Sequence, residues 1–290
     1  MGLRLKFNLV LSVVFLLGLA VTGYESYELL HKNAREEVLR NAGVMMESAL
    51  SMRGYTVAQV RPVLQADPEK FLPQSVPAYA ATEIMTLLRK KYPDYSYKEA
   101  ALNPTNPRNR AVEWETDIVN AFRNDSTKTE ITGMRETATG PSLYLARPFQ
   151  IKDAACLACH STADAAPPSM VQVYGNSNGF GWKHQEVIGA QIVSVPMALP
   201  VANANRAFYT FMTALTIVFA VLFVLLNIML SVLVVRPIRL MSQAADQIST
   251  GNTDVADLKE KGKDEVAQLA KAFNRMRRSL EKAIQLIDSK

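Results

Sequence analysis

The chain is short of the residues that carry most site chemistry: its 290 residues include two cysteines, three histidines and two tryptophans. Without a second cysteine pair, a four-ligand zinc site has only His31 and His184 as further nitrogen donors beyond the one histidine beside the cysteines. No nucleophile stands with a base, no carboxylate pair is set out for acid–base work, and no phosphate-cradling loop occurs, so the chain is not read as an enzyme. The 32 basic and 27 acidic residues are interleaved, and a net charge of +5 without clustered Lys and Arg argues against a nucleic-acid partner.

Two long apolar runs stand apart from a polar middle and a charged tail. The first covers 7–24, preceded by Arg4 and Lys6, with Tyr24 placed for an interface. About 20 apolar residues cross a hydrocarbon core of roughly 30 Å. A cleaved signal peptide has the same outline, but Leu19-Ala20-Val21-Thr22-Gly23 offers no small-x-small cleavage site, which favours an uncleaved anchor. The second run, 207–235, carries no charge until Arg236 and Arg239 follow it. A helix apolar on all faces for that length is a membrane span. Basic residues before the first span and after the second place both termini in the cytoplasm of a bacterial inner-membrane protein, with lipid as a partner and 25–206 as a periplasmic domain. Residues 1–6 form a cytoplasmic start and 236–290 a cytoplasmic module with a short tail.

Beyond the first span, Leu30, Ala34, Val38, Ala42, Met45, Ala49 and Met52 recur at three and four, widened by Leu39, Met46 and Leu50, which predicts a long helix ended by Pro62 and Asp67-Pro68. A helical stretch is expected over 81–91. Strands are expected over 142–151, 171–174 and 187–195. The predicted external fold is therefore an α+β domain with a long N-terminal helix.

Cys156-Leu157-Ala158-Cys159-His160 carries the chemistry. Two thiols separated by two residues reach the two vinyl groups of a haem, and the adjacent histidine lies over the iron, so the pattern predicts one covalent haem c. A disulfide, a redox pair or half of a zinc site are the competing readings. Attachment of this kind takes place outside the cytoplasm, where the charge rule puts these residues. For the second axial position His31, His184 and the helix methionines Met45, Met46 and Met52 are the candidates, each methionine also being an ordinary core residue. Arg147 and Arg108 are candidates to pair with propionates. Tyr174 and Trp182 are candidates to wall the pocket.

In the tail, Arg236-Pro237 starts a helix with Ile238, Met241, Ala245 and Ile248 in register. Gly251-Asn252 stops it, Val255 and Leu258 mark a connector, and Val266, Leu269, Phe273, Met276, Leu280, Ala283 and Ile287 form a second series. Two such helices make half of a parallel four-helix bundle, so a homodimer is needed to bury the seams.

Residues 236–280, with entry Pro237, connector Gly251 and the pair Asp264-Glu265, resemble the HAMP signalling module; Ala267 stands where that family often has glycine. Residues 35–196 resemble a bacterial family of PAS-like, single-haem c-type sensor domains. The matching stretches are Gln59-Val60-Arg61-Pro62, Asn103-Pro104-Thr105-Asn106, Trp114-Glu115, Ala146-Arg147-Pro148, Cys156 to His160, Gly179-Phe180-Gly181-Trp182 and Gly189-Ala190. That resemblance implies that a protein-derived second ligand comes from the long helix, favouring the Met45, Met46 and Met52 group over His184.

Together these readings predict a transmembrane haem-based redox or small-ligand sensor, signalling through HAMP to a separate cytoplasmic protein because the chain stops soon after the second HAMP helix. A membrane-anchored electron carrier is the alternative, but a carrier has no use for a HAMP tail. A haem-free chemoreceptor with a disulfide is the other.

Overall fold

The computed structural model describes residues 2–64, 71–252, 255–259 and 262–288, the side chains of 287 and 288 excepted. The expected helix stop at Asp67-Pro68 thus lies outside the described residues, and so does the side chain of the seam residue Ile287. Contacts divide the chain into two units, Tyr27–Ala207 and Met1–Ser26 with Phe208–Lys290.

In the Tyr27–Ala207 unit, a four-stranded antiparallel sheet is ordered β1-β4-β3-β2, with β1 Ser96–Ala101, β2 Ile131–Thr137, β3 Gly140–Gln150 and β4 Val187–Pro196. Alternation of side chains along each strand gives the sheet two faces. On one, Tyr97, Leu143, Leu145, Val193 and Val195 meet Val38, Ala42, Met46 and Ala49 of helix α1 (Leu3–Tyr55). Ala81 and Met85 of α3 (Pro77–Arg89) complete that core. On the other face Ala100, Ala146, Ala190 and Ile192 pack against Ile118, Val119 and Phe122 of α4 (Glu113–Asn124). Each fully buried large side chain, such as Met46 or Phe122, contributes about 1.5–3 kcal/mol. Gly189 lies where a Cβ would meet the Ala100 carbonyl, so the β1–β4 pairing needs glycine there.

The structure corrects three sequence expectations. Residues 171–174 belong to a helix, α6 (Pro168–Tyr174), not a strand: Pro168 is preset for a first helical turn and Gly175, at φ 81°, terminates it. Four alternating residues are too few to separate the two periods. Pro62 does not end the long helix, because a five-residue π turn, Thr56–Val60, leads into α2 (Arg61–Leu64). Proline lacks an N–H and crowds the carbonyl four residues back, and a widened turn relieves both. The third correction is an addition: β1 and β2 carry too many polar residues to read as strands.

In the other unit the same device recurs. The π turn Ser231–Val235 follows α7 (Ala198–Leu230) and precedes Pro237 at the start of α8 (Arg236–Ser249). Phe15 stacks on Phe219 at 4.8 Å between the N-terminal helix and α7. Two helical stretches, Leu3–Leu64 and Ala198–Ser249, are long and apolar enough to cross a membrane. Asp264 accepts from the Ala267 N–H at 2.8 Å and so caps α9 (Glu265–Asp288). Asn274 of α9 bonds both backbone groups of Leu258, at 3.0 and 2.9 Å, clamping the connector to the helix.

Candidate functional site

Asp153 starts the site. Its carboxylate accepts the Ala155 N–H at 2.9 Å and turns the chain into a 3-10 turn, Ala154–Cys156, followed at once by α5 (Leu157–His160). One short helical path thus presents Cys156, Cys159 and His160 to a single cavity of about 400 Å³. Both thiols are free and half-buried. Burial pushes the Cys156 thiol up, helped by Asp153 and opposed by Arg61 and Arg53. Burial likewise raises Cys159, again opposed by Arg61.

The orientation of His160 is set by its neighbours. Nδ1 lies 2.7 Å from the Gly179 carbonyl, which can only accept, so Nδ1 carries the proton. The Trp182 ring stacks on the imidazole at 4.0 Å and 17°. Burial lowers the His160 pKa below its ordinary value, more than the Gly179 bond raises it, so the ring is neutral and Nε2 keeps its lone pair. A carbonyl that holds one ring nitrogen and so fixes the tautomer is the arrangement that prepares a histidine for a metal.

The loop carrying that carbonyl is itself held. Asn103 accepts the Gly179 N–H at 3.2 Å and donates to the Phe180 carbonyl at 3.2 Å. Gly179 has φ 85°, and a Cβ there would lie 2.7 Å from Thr105 Cα. Gly179→Ala is therefore expected to lower stability by about 1–3 kcal/mol, measured by thermal unfolding. Unchanged melting would show that the loop gives way freely and does not pin His160.

Arg108, Tyr174 and Trp182 line the same cavity. The guanidinium of Arg108 lies over the Tyr79 ring at 5.2 Å and pairs with Glu83 at 2.7 Å. Arg147 is not brought to the cavity: it pairs with Glu47 at 2.6 Å and Glu130 at 3.0 Å. Nor are the three methionines. Met46 is fully buried in the α1 core, Met45 packs against that core, and Met52 lines a separate groove along α1. The helical period turns Met46 to the sheet core and Met52 to that groove rather than to the cysteines. His31 bonds Asn205 at 3.0 Å, and His184 lies 3.2 Å from the Lys152 carbonyl.

Sequence reasoning missed several cavity residues, Met170, Arg53, Glu99 and Arg61 among them. Met170 of α6 brings a buried thioether. From α1 comes Arg53, whose guanidinium donates to both oxygens of Glu99 at 2.6 Å, while Tyr97 donates to Glu99 at 2.7 Å. Glu99 is 1% exposed, a strand carboxylate made tolerable by that pairing. Burial works against the charge on Arg53, but Glu99 and Tyr97 offset it and hold the pKa above its ordinary value. Burial, then Glu99, raises the Tyr97 hydroxyl. Arg61 lines the cavity with a buried Nε that has no partner, and its guanidinium forms no ion pair among the described residues. The stretch Gln59-Val60-Arg61-Pro62 had marked this residue without showing what it faces.

A family model described as Tll0287-like matches residues 31–196, which is 166 of 290 residues. The chain belongs to the Tll0287-like family. A second model, the HAMP domain, matches residues 229–282. No curated protein matches the chain. The crystal structure of the cyanobacterial heme-protein Tll0287 is similar over 55% of this chain and 95% of its own, at 17% identity and a TM-score of 0.45. Within the Tll0287-like segment lie both cysteines, His160 and every cavity residue named above. The Asn274 clamp and the capping Asp264 lie within the HAMP segment.

Proposed function

We propose that this protein is a two-pass membrane signalling sensor whose Tll0287-like domain holds one c-type haem and whose HAMP domain carries the signal to a cytoplasmic partner. The observation that carries the reading is the convergence on one cavity of two free thiols and an adjacent histidine whose Nδ1 is already committed to a carbonyl. The residues fit the group. Cys156 and Cys159 are the thioether donors and His160 Nε2 the iron ligand. Arg61, with its unpartnered nitrogen, and Arg108 are the cations for the two propionates. Trp182, Tyr174 and Phe71 supply apolar walls. When bound, haem supplies an iron that changes charge by one on reduction and offers a position to small ligands.

The chain's own part is to hold that site and to couple it. His160 is fixed by Gly179 and Trp182, and the Arg53–Glu99 pair joins the cavity wall to α1. Basic residues Arg4, Lys6, Arg236 and Arg239 support an orientation with both termini in the cytoplasm and the haem domain outside. Leu269, Met276 and Leu280 remain exposed along α9 in the single chain, which supports a homodimer as the unit that buries the seam. A change at the iron that favours one setting of α7 and the bundle over another needs a coupling of about 1–3 kcal/mol.

The test uses the full chain in a bilayer with a spin label at Met276→Cys. Distances between the two labels are expected to differ between ferricyanide-oxidised and dithionite-reduced protein. Identical distances in both would end redox state as the stimulus.

A further inference from the structure

A second cavity, of about 270 Å³, opens beside the first. Its lining includes Arg89 on α3, Lys98 on β1, Arg108, Trp114 and Glu115 on α4, and Arg135 on β2. Two of the four cations already have a carboxylate partner: Lys98 pairs with Glu115 at 2.6 Å and Arg108 with Glu83 at 2.7 Å. The guanidiniums of Arg89 and Arg135 have no carboxylate partner among the described residues. Arg135 lies over the Trp114 ring at 4.3 Å, which orients its fork without supplying a counter-charge. Ser194, a residue 6% exposed, also lines the cavity.

We propose that this cavity binds a small organic carboxylate. Two guanidiniums without a carboxylate partner among the described residues, the exposed Arg89 and the half-buried Arg135, are free to receive an anion, and their planar forks match a carboxylate in a bidentate manner. The apolar surfaces of Trp114 and Ile192 suit the carbon part of an organic acid and give nothing to an inorganic oxyanion. The volume falls below the roughly 300–1,000 Å³ of drug-sized sites, which limits the ligand to a few carbons. Arg108 lines both cavities, so an occupant here shares a wall with the first site while owing nothing to haem for its binding.

Calorimetry on the full chain in detergent tests this with acetate, succinate and benzoate as carboxylate probes and inorganic phosphate as the comparison. At least one carboxylate is expected to bind and phosphate not to. That affinity is expected to fall at least tenfold in Arg89→Gln and in Arg135→Gln, as the loss of a charge-assisted bond implies. Arg135→Lys, which keeps charge but not the fork, is expected to fall between. Melting temperature and haem absorption report that the variants are folded and the first site intact. Absence of binding by all three carboxylates, equal binding of phosphate, or affinities indifferent to both glutamine substitutions would each overturn the proposal.

Discussion

Protein in which Cys156 and Cys159 are both replaced by alanine is expected to lose all haem-dependent staining on a denaturing gel, while the unmodified chain retains it. A thioether survives unfolding and a coordination bond does not, so the stain reports attachment and not mere affinity. Each single replacement leaves one thiol on the same turn of chain, and a weaker stain is expected from either. His160→Ala should keep the stain yet change the absorption spectrum, because iron ligation and attachment are separate functions of the motif. An unmodified chain showing no porphyrin mass when made in cells competent to attach it would remove the proposed cofactor.

The second large effect concerns stability. Glu99→Ala is expected to destabilise the domain by about 3–5 kcal/mol, the range for breaking a buried ion pair by removing one partner. The reason is geometric: Arg53 donates to both carboxylate oxygens, and its side chain is 18% exposed, so the charge left behind has little access to water. Denaturant unfolding in which both partners are replaced, Glu99→Ala with Arg53→Met, should recover part of the loss, since no uncompensated charge then remains. A loss below about 1 kcal/mol for Glu99→Ala would match a solvated surface pair instead.

This pair also shows why some of the site was hidden in the sequence. Arg53 sits on a helix face otherwise read as a stripe of small and apolar residues, and Glu99 interrupts a strand that looks too polar to be one. Their meeting, 46 residues apart, depends on how α1 lies on the sheet. The methionines of α1 illustrate the converse. Their spacing was legible, but the phase of the helix puts Met46 in the core and Met52 along a different groove, and among the described residues only Met170, from a helix mistaken for a strand, brings a thioether to the cavity.

What the amino-acid order determined by itself is what depends on neighbours along the chain: two uninterrupted apolar runs, the heptad stripes of the tail, and a thiol pair with histidine whose spacing is chemistry in its own right. Tertiary structure alone decided which arginines face the cavity, that Asn103 fixes the Gly179 carbonyl against His160, and that Arg147 is spent on Glu47 and Glu130. Periodicity and covalent spacing act over a few residues and leave a record there. A counter-charge is chosen by whichever surface folding brings within about 4 Å, and nothing local in the chain encodes that distance.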